Sequence, residues 1–361
     1  MSNLGMQIQF IARIFVHMRD FVGQLLKWYD VNKREMPWRQ NQNPYSVWLS
    51  EIILQQTRVA QGTPYFLRFL AQYPTVKDLA LAPEDEVLKL WQGLGYYSRA
   101  RNMRLAAQRI VAQFDGVFPK TQKELQELPG VGPYTASAIA SICFDQVTAV
   151  VDGNVFRVLA RYFDIHQPIN QPQGIKLFQE LAQSLISSHA PGTYNQAIME
   201  FGSLQCTPRN PNCRSCPLVD GCLSFANKTV EQLPVKIKAK PARNRYFHYL
   251  VPLDKQQNTL LSRRESGDIW EGLYQFPLIE AGHALNEKEL KRHVALPQWA
   301  LRARWTAYND KAIIHRLSHQ VLHAHFWIIE DFEQSMPHSW DLVRSKGVPR
   351  LIERFLQKFE R

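Results

Sequence analysis

The sequence predicts a multidomain chain: an all-α domain, then a basic linker, then a smaller α+β domain. Three observations carry this. The chain has 361 residues, more than a typical single domain, and its 45% hydrophobic and 11% aromatic content is enough for packed cores, which excludes disorder as the bulk state. From Phe21 to Ala226, apolar residues recur at intervals of three and four between Pro and Gly breaks, whereas after Arg245 the apolar runs are short, aromatic and aliphatic. Between these regions, Lys228–Arg245 carries Lys228, Lys236, Lys238, Lys240, Arg243 and Arg245 against the single acid Glu231, with Pro234 and Pro241. The expected boundaries are an N-terminal extension at 1–17, a helical domain at 18–227, a basic linker at 228–245 and an α+β domain at 246–361.

Taken in order, the opening Met1–Arg19 has a loose helical pattern of Ile8, Phe10, Ile11, Ile14 and Phe15 but lacks the apolar core and cleavage site of an export signal. No run approaches the roughly 18 apolar residues of a membrane span, so the reading is a cytoplasmic protein. Helical patterns follow in Val47–Val59, Glu86–Leu94, Leu105–Phe114, Thr135–Ile142 and Val155–Phe163, with Pro44, Pro74, Pro83, Pro119, Pro129 and Pro168 marking breaks or starts. In the last domain, Tyr246–Leu253, Thr259–Ser262, Gly272–Pro277 and Val321–Ile329 read as strands, and Asn286–Val294 and Pro349–Phe359 as helices. A formal net charge of +11 points to a polyanionic partner, most often nucleic acid.

Two motifs carry chemistry. Four of the five cysteines fall in Cys206-X6-Cys213-X2-Cys216-X5-Cys222, which predicts four thiolates converging on a metal centre. Disulfides need an oxidising compartment. Structural zinc remains open, although zinc ribbons usually separate two short knuckles, and the single Cys-X2-Cys with wider flanks suits a cubane iron–sulfur cluster. Cys143, in an apolar run, reads as a buried core thiol. The second motif is Leu125-Gln-Glu-Leu-Pro-Gly130-Val-Gly132-Pro-Tyr134, two helices joined by a glycine turn that leaves backbone N–H groups bare for a phosphate oxygen. A generic helix–helix turn is the alternative. Asp152, in Val150-Val-Asp152-Gly-Asn154, stands where an N-cap would, and also a short helix away from the hairpin.

A helical hairpin, a following Asp and this cysteine loop, in that order over 21–226, resemble the endonuclease III superfamily of helix-hairpin-helix base-excision glycosylases. The resemblance implies a 4Fe–4S cluster on Cys206, Cys213, Cys216 and Cys222, one per chain, organising a basic loop with Arg209 and Arg214. Three features look like the MutY family of adenine DNA glycosylases. Trp48-Leu-Ser-Glu51-Ile-Ile-Leu-Gln55-Gln56-Thr57 matches that family's catalytic helix, where the resemblance turns Glu51 from a surface residue into a desolvated acid. Tyr134 stands where glycosylase-lyases carry a Schiff-base lysine, so only the base–sugar bond should be cut. The run Arg263-Arg-Glu-Ser-Gly-Asp-Ile-Trp270-Glu-Gly272-Leu-Tyr-Gln-Phe276-Pro277 resembles a Nudix-like C-terminal domain, here without the carboxylates of a pyrophosphate hydrolase.

The family's roles then fall on numbered residues. Glu51 would protonate adenine, and Asp152 would stabilise or capture the sugar cation. Tyr134 and Asn154 match positions that hydrogen-bond around the reacting centre. Gln196, Arg34, Trp38 and Arg39 match positions lining or supporting the adenine pocket. Gly130 and Gly132 would hold DNA backbone, Gln56 and Tyr96 would wedge into the duplex, and Thr57 and Leu94 beside them count as DNA-binding. Ser318 and His319 match a Phe-Ser-His loop that reads 8-oxoguanine, with Leu317 in place of the aromatic. The implied partner is double-stranded DNA holding adenine opposite 8-oxoguanine or guanine, bound by a monomer. A glycosylase-lyase is opposed by Tyr134, a non-catalytic damage binder by the presence of both carboxylates, and a Nudix hydrolase by its missing acids.

Overall fold

The computed structural model describes residues 21–238 and 241–359, so the extension expected at 1–17 lies outside the described residues. Described residues 21–80 and 105–238 form one compact unit, and 81–104 with 241–359 form a second. The segment 81–104, which the sequence reading counts with the helical domain, thus groups with the C-terminal unit.

The first unit is all-α. It begins with a helix over 21–32, α1, whose Phe21 and Leu25 are fully buried. Asn43 caps α2 (Pro44–Leu54) by accepting from the N–H groups of Tyr45 and Ser46, and Pro44 at the first position needs no hydrogen-bond acceptor there. The single helical pattern expected over Val47–Val59 is in fact two helices. Gln56 has φ 56°, a left-handed backbone that ends α2 and redirects the chain into α3 (Val59–Gln72). After α4 (Val76–Leu81), the second unit takes in α5 (Glu84–Leu90) and the first turns of α6 (Ser98–Phe114). A Thr121–Glu124 capping box starts α7 (Gln122–Gln126), and Gly130 (φ 75°) turns the chain into α8 (Pro133–Phe144). Then come α9 (Gly153–Tyr162), α10 (Pro172–Leu185) and α11 (Pro191–Leu204). Phe21, Leu159, Phe178, Tyr194 and Phe201 are all buried in one core at the centre of this unit. The cysteine loop and the short α12 (Leu223–Ala226) close it.

The second unit is built on a five-stranded mixed sheet in the order β4 (Leu278–Ala281), β1 (Arg243–Pro252), β7 (Gln320–Glu330), β5 (Arg304–Ala307), with β6 (Ile313–Arg316) also on β7. The long strands β1 (Arg243–Pro252) and β7 (Gln320–Glu330) pair in parallel along their length. The strand alternation of β1 sends Phe247, Tyr249 and Val251 to one face and Leu250 to the other. The first face is covered by α14 (Trp340–Ser345) and α15 (Arg350–Lys358), where Phe355 stacks on Phe326 at 4.4 Å. The second packs under Leu290, Ala300 and Ala303, next to α13 (Glu287–Lys291). The strands expected at Thr259–Ser262 and Gly272–Pro277 shrink to a two-residue pair, β2 (Ser262–Arg263) with β3 (Tyr274–Gln275). Three strands that the pattern misses are β4 (Leu278–Ala281), β5 (Arg304–Ala307) and β6 (Ile313–Arg316). Among the described residues, no helix is long and apolar enough to cross a membrane.

Candidate active site and cysteine loop

In the first unit a cavity of about 300 Å³ gathers Glu51, Tyr134, Asp152 and Asn154 with Arg34, Trp38, Arg39, Thr57 and Gln196. Its size falls at the small end of ligand pockets, about 300–1,000 Å³. Burial pushes the Glu51 carboxyl up to about 7; the nearby Asp152 charge adds to this, while a hydrogen bond donated by Tyr134 and the charge of Arg39 oppose it. The Tyr134 hydroxyl is raised well above its ordinary range, first by burial and then by both carboxylates. Its oxygen also lies 3.1 Å from Met199 Sδ.

Asp152 serves two purposes at once. Its Oδ1 caps α9, accepting from Asn154 N at 2.9 Å and Val155 N at 2.8 Å, while Oδ2 accepts from Asn154 Nδ2 at 2.8 Å. Burial raises its pKa, and the bonds from Val155 and Asn154 and the charge of Arg157 hold it down. The Asn154 amide is fixed in turn by Arg157, which donates to Asn154 Oδ1 at 2.8 Å, Gly202 O at 2.5 Å and Cys206 O at 2.7 Å. Gly202 is required here, since a Cβ at that position would come within 2.6 Å of Asn154 Cβ.

Glu200 and Arg157 are the residues that sequence reasoning missed. Glu200, 2% exposed, accepts from Arg34 Nε at 2.7 Å, Arg34 Nη2 at 3.0 Å and Arg39 Nη2 at 3.1 Å. Although burial works against it, the two guanidiniums bring its carboxyl down to about 2. A buried acid that holds two arginines at a cavity wall fixes donors for a flat polar ligand. Its sequence signal was an acid on the apolar face of a helix, read with Gln196 one turn earlier. Trp38 is buried against Phe66, edge on at 5.3 Å, as the cavity's apolar side.

Gln56, Gly130 and Gly132 lie outside this cavity. Gln56 is exposed and, with its φ of 56°, projects from a conformation few side chains adopt. Gly130 and Gly132 are exposed at the N-terminus of α8, as backbone phosphate binding requires.

In the second unit Leu94, Tyr96, Trp270, Leu317, Ser318 and His319 line a separate cavity of about 480 Å³. Leu317 opens the β6–β7 turn, its N–H bonding Gln320 O at 2.8 Å, and its side chain packs on the sheet core. Ser318 and His319 therefore form an exposed turn tip. The Tyr96 and Ser318 hydroxyls are hydrogen-bonded. Tyr96 (φ 48°) and Trp270 (φ 64°) are both left-handed.

The four cysteines ring a cavity of about 30 Å³ beside Arg161 and Tyr162. Among the described residues, no three His, Cys, Asp or Glu side chains close on one point as ligands of a single ion do. Four soft thiols lining one small cavity are the donor set of an iron–sulfur cluster. Arg161 Nη1 lies 3.5 Å from Cys206 Sγ, and its guanidinium also donates to Thr207 O, Pro208 O, Val230 O and Leu233 O. Burial pushes the Cys216 thiol up to about 12. Arg209 and Arg214 are exposed on this loop, and Cys143 is half-buried with its thiol pushed up to about 12, again by burial.

Residues 49–184 match a family model described as HhH-GPD superfamily base excision DNA repair protein, and residues 248–358 match a NUDIX domain model. An adenine DNA glycosylase of Buchnera aphidicola subsp. Acyrthosiphon pisum is 31% identical over 355 residues, which span 94% of this chain and 98% of that protein. An adenine DNA glycosylase of Homo sapiens is 41% identical over 266 residues, 71% of this chain and 48% of that protein. A solved structure described as a thermostable thymine-DNA glycosylase superposes with a TM-score of 0.54 at 27% identity, covering 58% of this chain and 97% of that chain.

Proposed function

Because the chain belongs to the adenine DNA glycosylases of the HhH-GPD superfamily, we propose that it hydrolyses the N-glycosidic bond of adenine mispaired with 8-oxoguanine or guanine and leaves the backbone intact. One observation carries the mechanism: a carboxyl with a pKa of about 7 and a second carboxylate face the same cavity.

Adenine must leave the stack to reach them. The wall of Glu200, Arg34 and Arg39 orients the base, and Trp38 bounds it. Glu51, protonated near neutral pH, gives its proton to the purine N7, so the base leaves as a neutral species. Positive charge then grows on the sugar, where Asp152 stabilises it until a water adds at C1′ and gives up a proton, in the two-carboxylate logic of glycoside hydrolysis. Tyr134 has no amine to attack C1′, so no lyase step follows. The hairpin glycines hold the phosphate backbone, and Gln56 supports the gap left in the stack. The turn tip of Ser318 and His319 reads the opposite base by hydrogen bonding, with Tyr96 beside it; Leu317 anchors this turn instead of stacking. The reading is of a monomer acting on double-stranded DNA.

Cys206, Cys213, Cys216 and Cys222 would hold a 4Fe–4S cluster, which when bound ties four points of the loop together. The thiol-only donor set around one cavity and the single Cys-X2-Cys with wider flanks support this reading. Protein purified without air is expected to contain iron and inorganic sulfide in equal amounts, by metal analysis and sulfide assay. Zinc in their place would return the loop to a structural zinc site.

The pH dependence follows from Glu51. The active form is protonated, so the single-turnover rate should hold below about pH 7 and fall as pH rises through that value. A rate that climbs with pH across this range would remove Glu51 as the acid. The opposite-base reading is tested by single-turnover excision from duplexes holding adenine opposite 8-oxoguanine, guanine or thymine. Faster excision opposite the two purines is expected, and equal rates on all three would contradict it.

A further inference from the structure

The segment 147–151 that delivers Asp152 belongs to no helix or strand and, among the described residues, has no strand paired beside it. Two side-chain amides take that place, one on each edge. On one edge Gln183 of α10 donates from Nε2 to Val147 O at 2.9 Å and accepts at Oε1 from Ala149 N at 2.9 Å. On the other, Asn195 of α11 donates from Nδ2 to Thr148 O at 2.9 Å and accepts at Oδ1 from Val150 N at 3.1 Å. The second Nδ2 hydrogen of Asn195 goes to Ser141 Oγ of α8 at 2.8 Å. Asn195 is fully buried, and both of its amide hydrogens are bonded.

We propose that Asn195 and Gln183 are positioning residues for Asp152. A side-chain amide offers a donor and an acceptor at the spacing of a peptide group, so the pair reproduces a strand ladder on an isolated segment. Asn195 also joins three parts of the site. It sits on the helix that carries Gln196, Met199 and Glu200, it bonds the helix that carries Tyr134, and it holds the segment two residues before Asp152. The register of that segment sets where the Asp152 carboxylate stands relative to Glu51. A displacement of about 1 Å at a reacting group can cost about a hundredfold in rate.

The proposal rests on the role given to Asp152, so Asp152→Asn is measured beside Asn195→Ala, Asn195→Asp and Gln183→Ala. The substrate is a duplex holding adenine opposite 8-oxoguanine. Single-turnover rates are expressed per active enzyme after active-site titration, and affinity is read with a duplex carrying a non-hydrolysable adenine analogue. Asn195→Asp keeps the acceptor for Val150 but loses the donor to Thr148. Both Asn195 variants should lose on the order of tenfold or more in rate per active enzyme, and Gln183→Ala several-fold. Duplex affinity and the fall of rate near pH 7 should stay in place. A lower melting temperature and active fraction, with the rate per active enzyme unchanged, would make the amides merely structural and overturn the proposal. If neither Asn195 variant folds, the exposed Gln183→Ala decides the matter on the same criterion. Turnover by Asp152→Asn would instead overturn the assignment of Asp152 itself.

Discussion

Glu51→Gln is expected to bind mispaired duplex as the parent does and to lose adenine release by about 10²–10⁴-fold, the usual contribution of a general acid. Glutamine keeps the shape and the hydrogen bond from Tyr134 yet has no proton to give to N7. The same substitution should stabilise the fold in a pH-dependent way. The Glu51 carboxyl titrates near 7 when folded, against an ordinary value of 4.5. Below the ordinary value it is protonated in both states and carries no penalty. As pH rises through 7 the buried carboxylate must ionise, and stability is lost. Glu51→Gln removes that loss, so its advantage in unfolding free energy should grow from nothing near pH 4 to about 3 kcal/mol above pH 8. Chemical denaturation at the two pH values checks this, and turnover assays check the rate. Appreciable turnover would sink the acid assignment, while an advantage independent of pH would mean that Glu51 is not desolvated.

Asp152→Asn separates capping from chemistry. Asparagine is as good an N-cap as aspartate, and even complete loss of a cap costs only about 1 kcal/mol. The melting temperature should therefore move by a few degrees at most. The rate should fall by about 10³-fold or more, because a neutral amide offers the sugar cation neither a charge nor a nucleophile. Isotope-labelled sugar in the substrate reports the same step. A variant that turns over at near-parental rate would return Asp152 to its capping role alone. The geometry favours two roles, since Oδ1 takes both cap bonds and Oδ2 bonds only the Asn154 side chain.

Much of this site was legible in the chain because its chemistry is local. The glycine turn and the Glu51 helix each lie within ten residues and the cysteine run within seventeen, where spacing alone fixes neighbours. What was hidden depends on packing over long separations. Glu200 reads as one acid on a helix, and only the fold brings Arg34 and Arg39 to it. Arg157 looked like part of an amphipathic run, and its bonds to Gly202 and Cys206 cross between elements. Asn195 carried no signal beyond its residue type. The break at Gln56 was invisible because apolar spacing continues through it, whereas the backbone does not. In the second unit the long central strands announced themselves by run length, but β4, β5 and β6 are four residues each and too mixed in polarity to show alternation. Periodicity also predicts a helix at Glu86–Leu94 without revealing which unit it joins. The Leu317 departure became clear only when its side chain was found on the sheet core, leaving the turn tip to Ser318 and His319.

The most direct test is a duplex holding a single adenine opposite 8-oxoguanine, incubated with the protein and then divided between neutral and hot alkaline treatment. The account predicts release of free adenine, an intact strand at neutral pH and cleavage at the adenine position only after alkali. Cleavage without alkali, or no cleavage under either treatment, would contradict it.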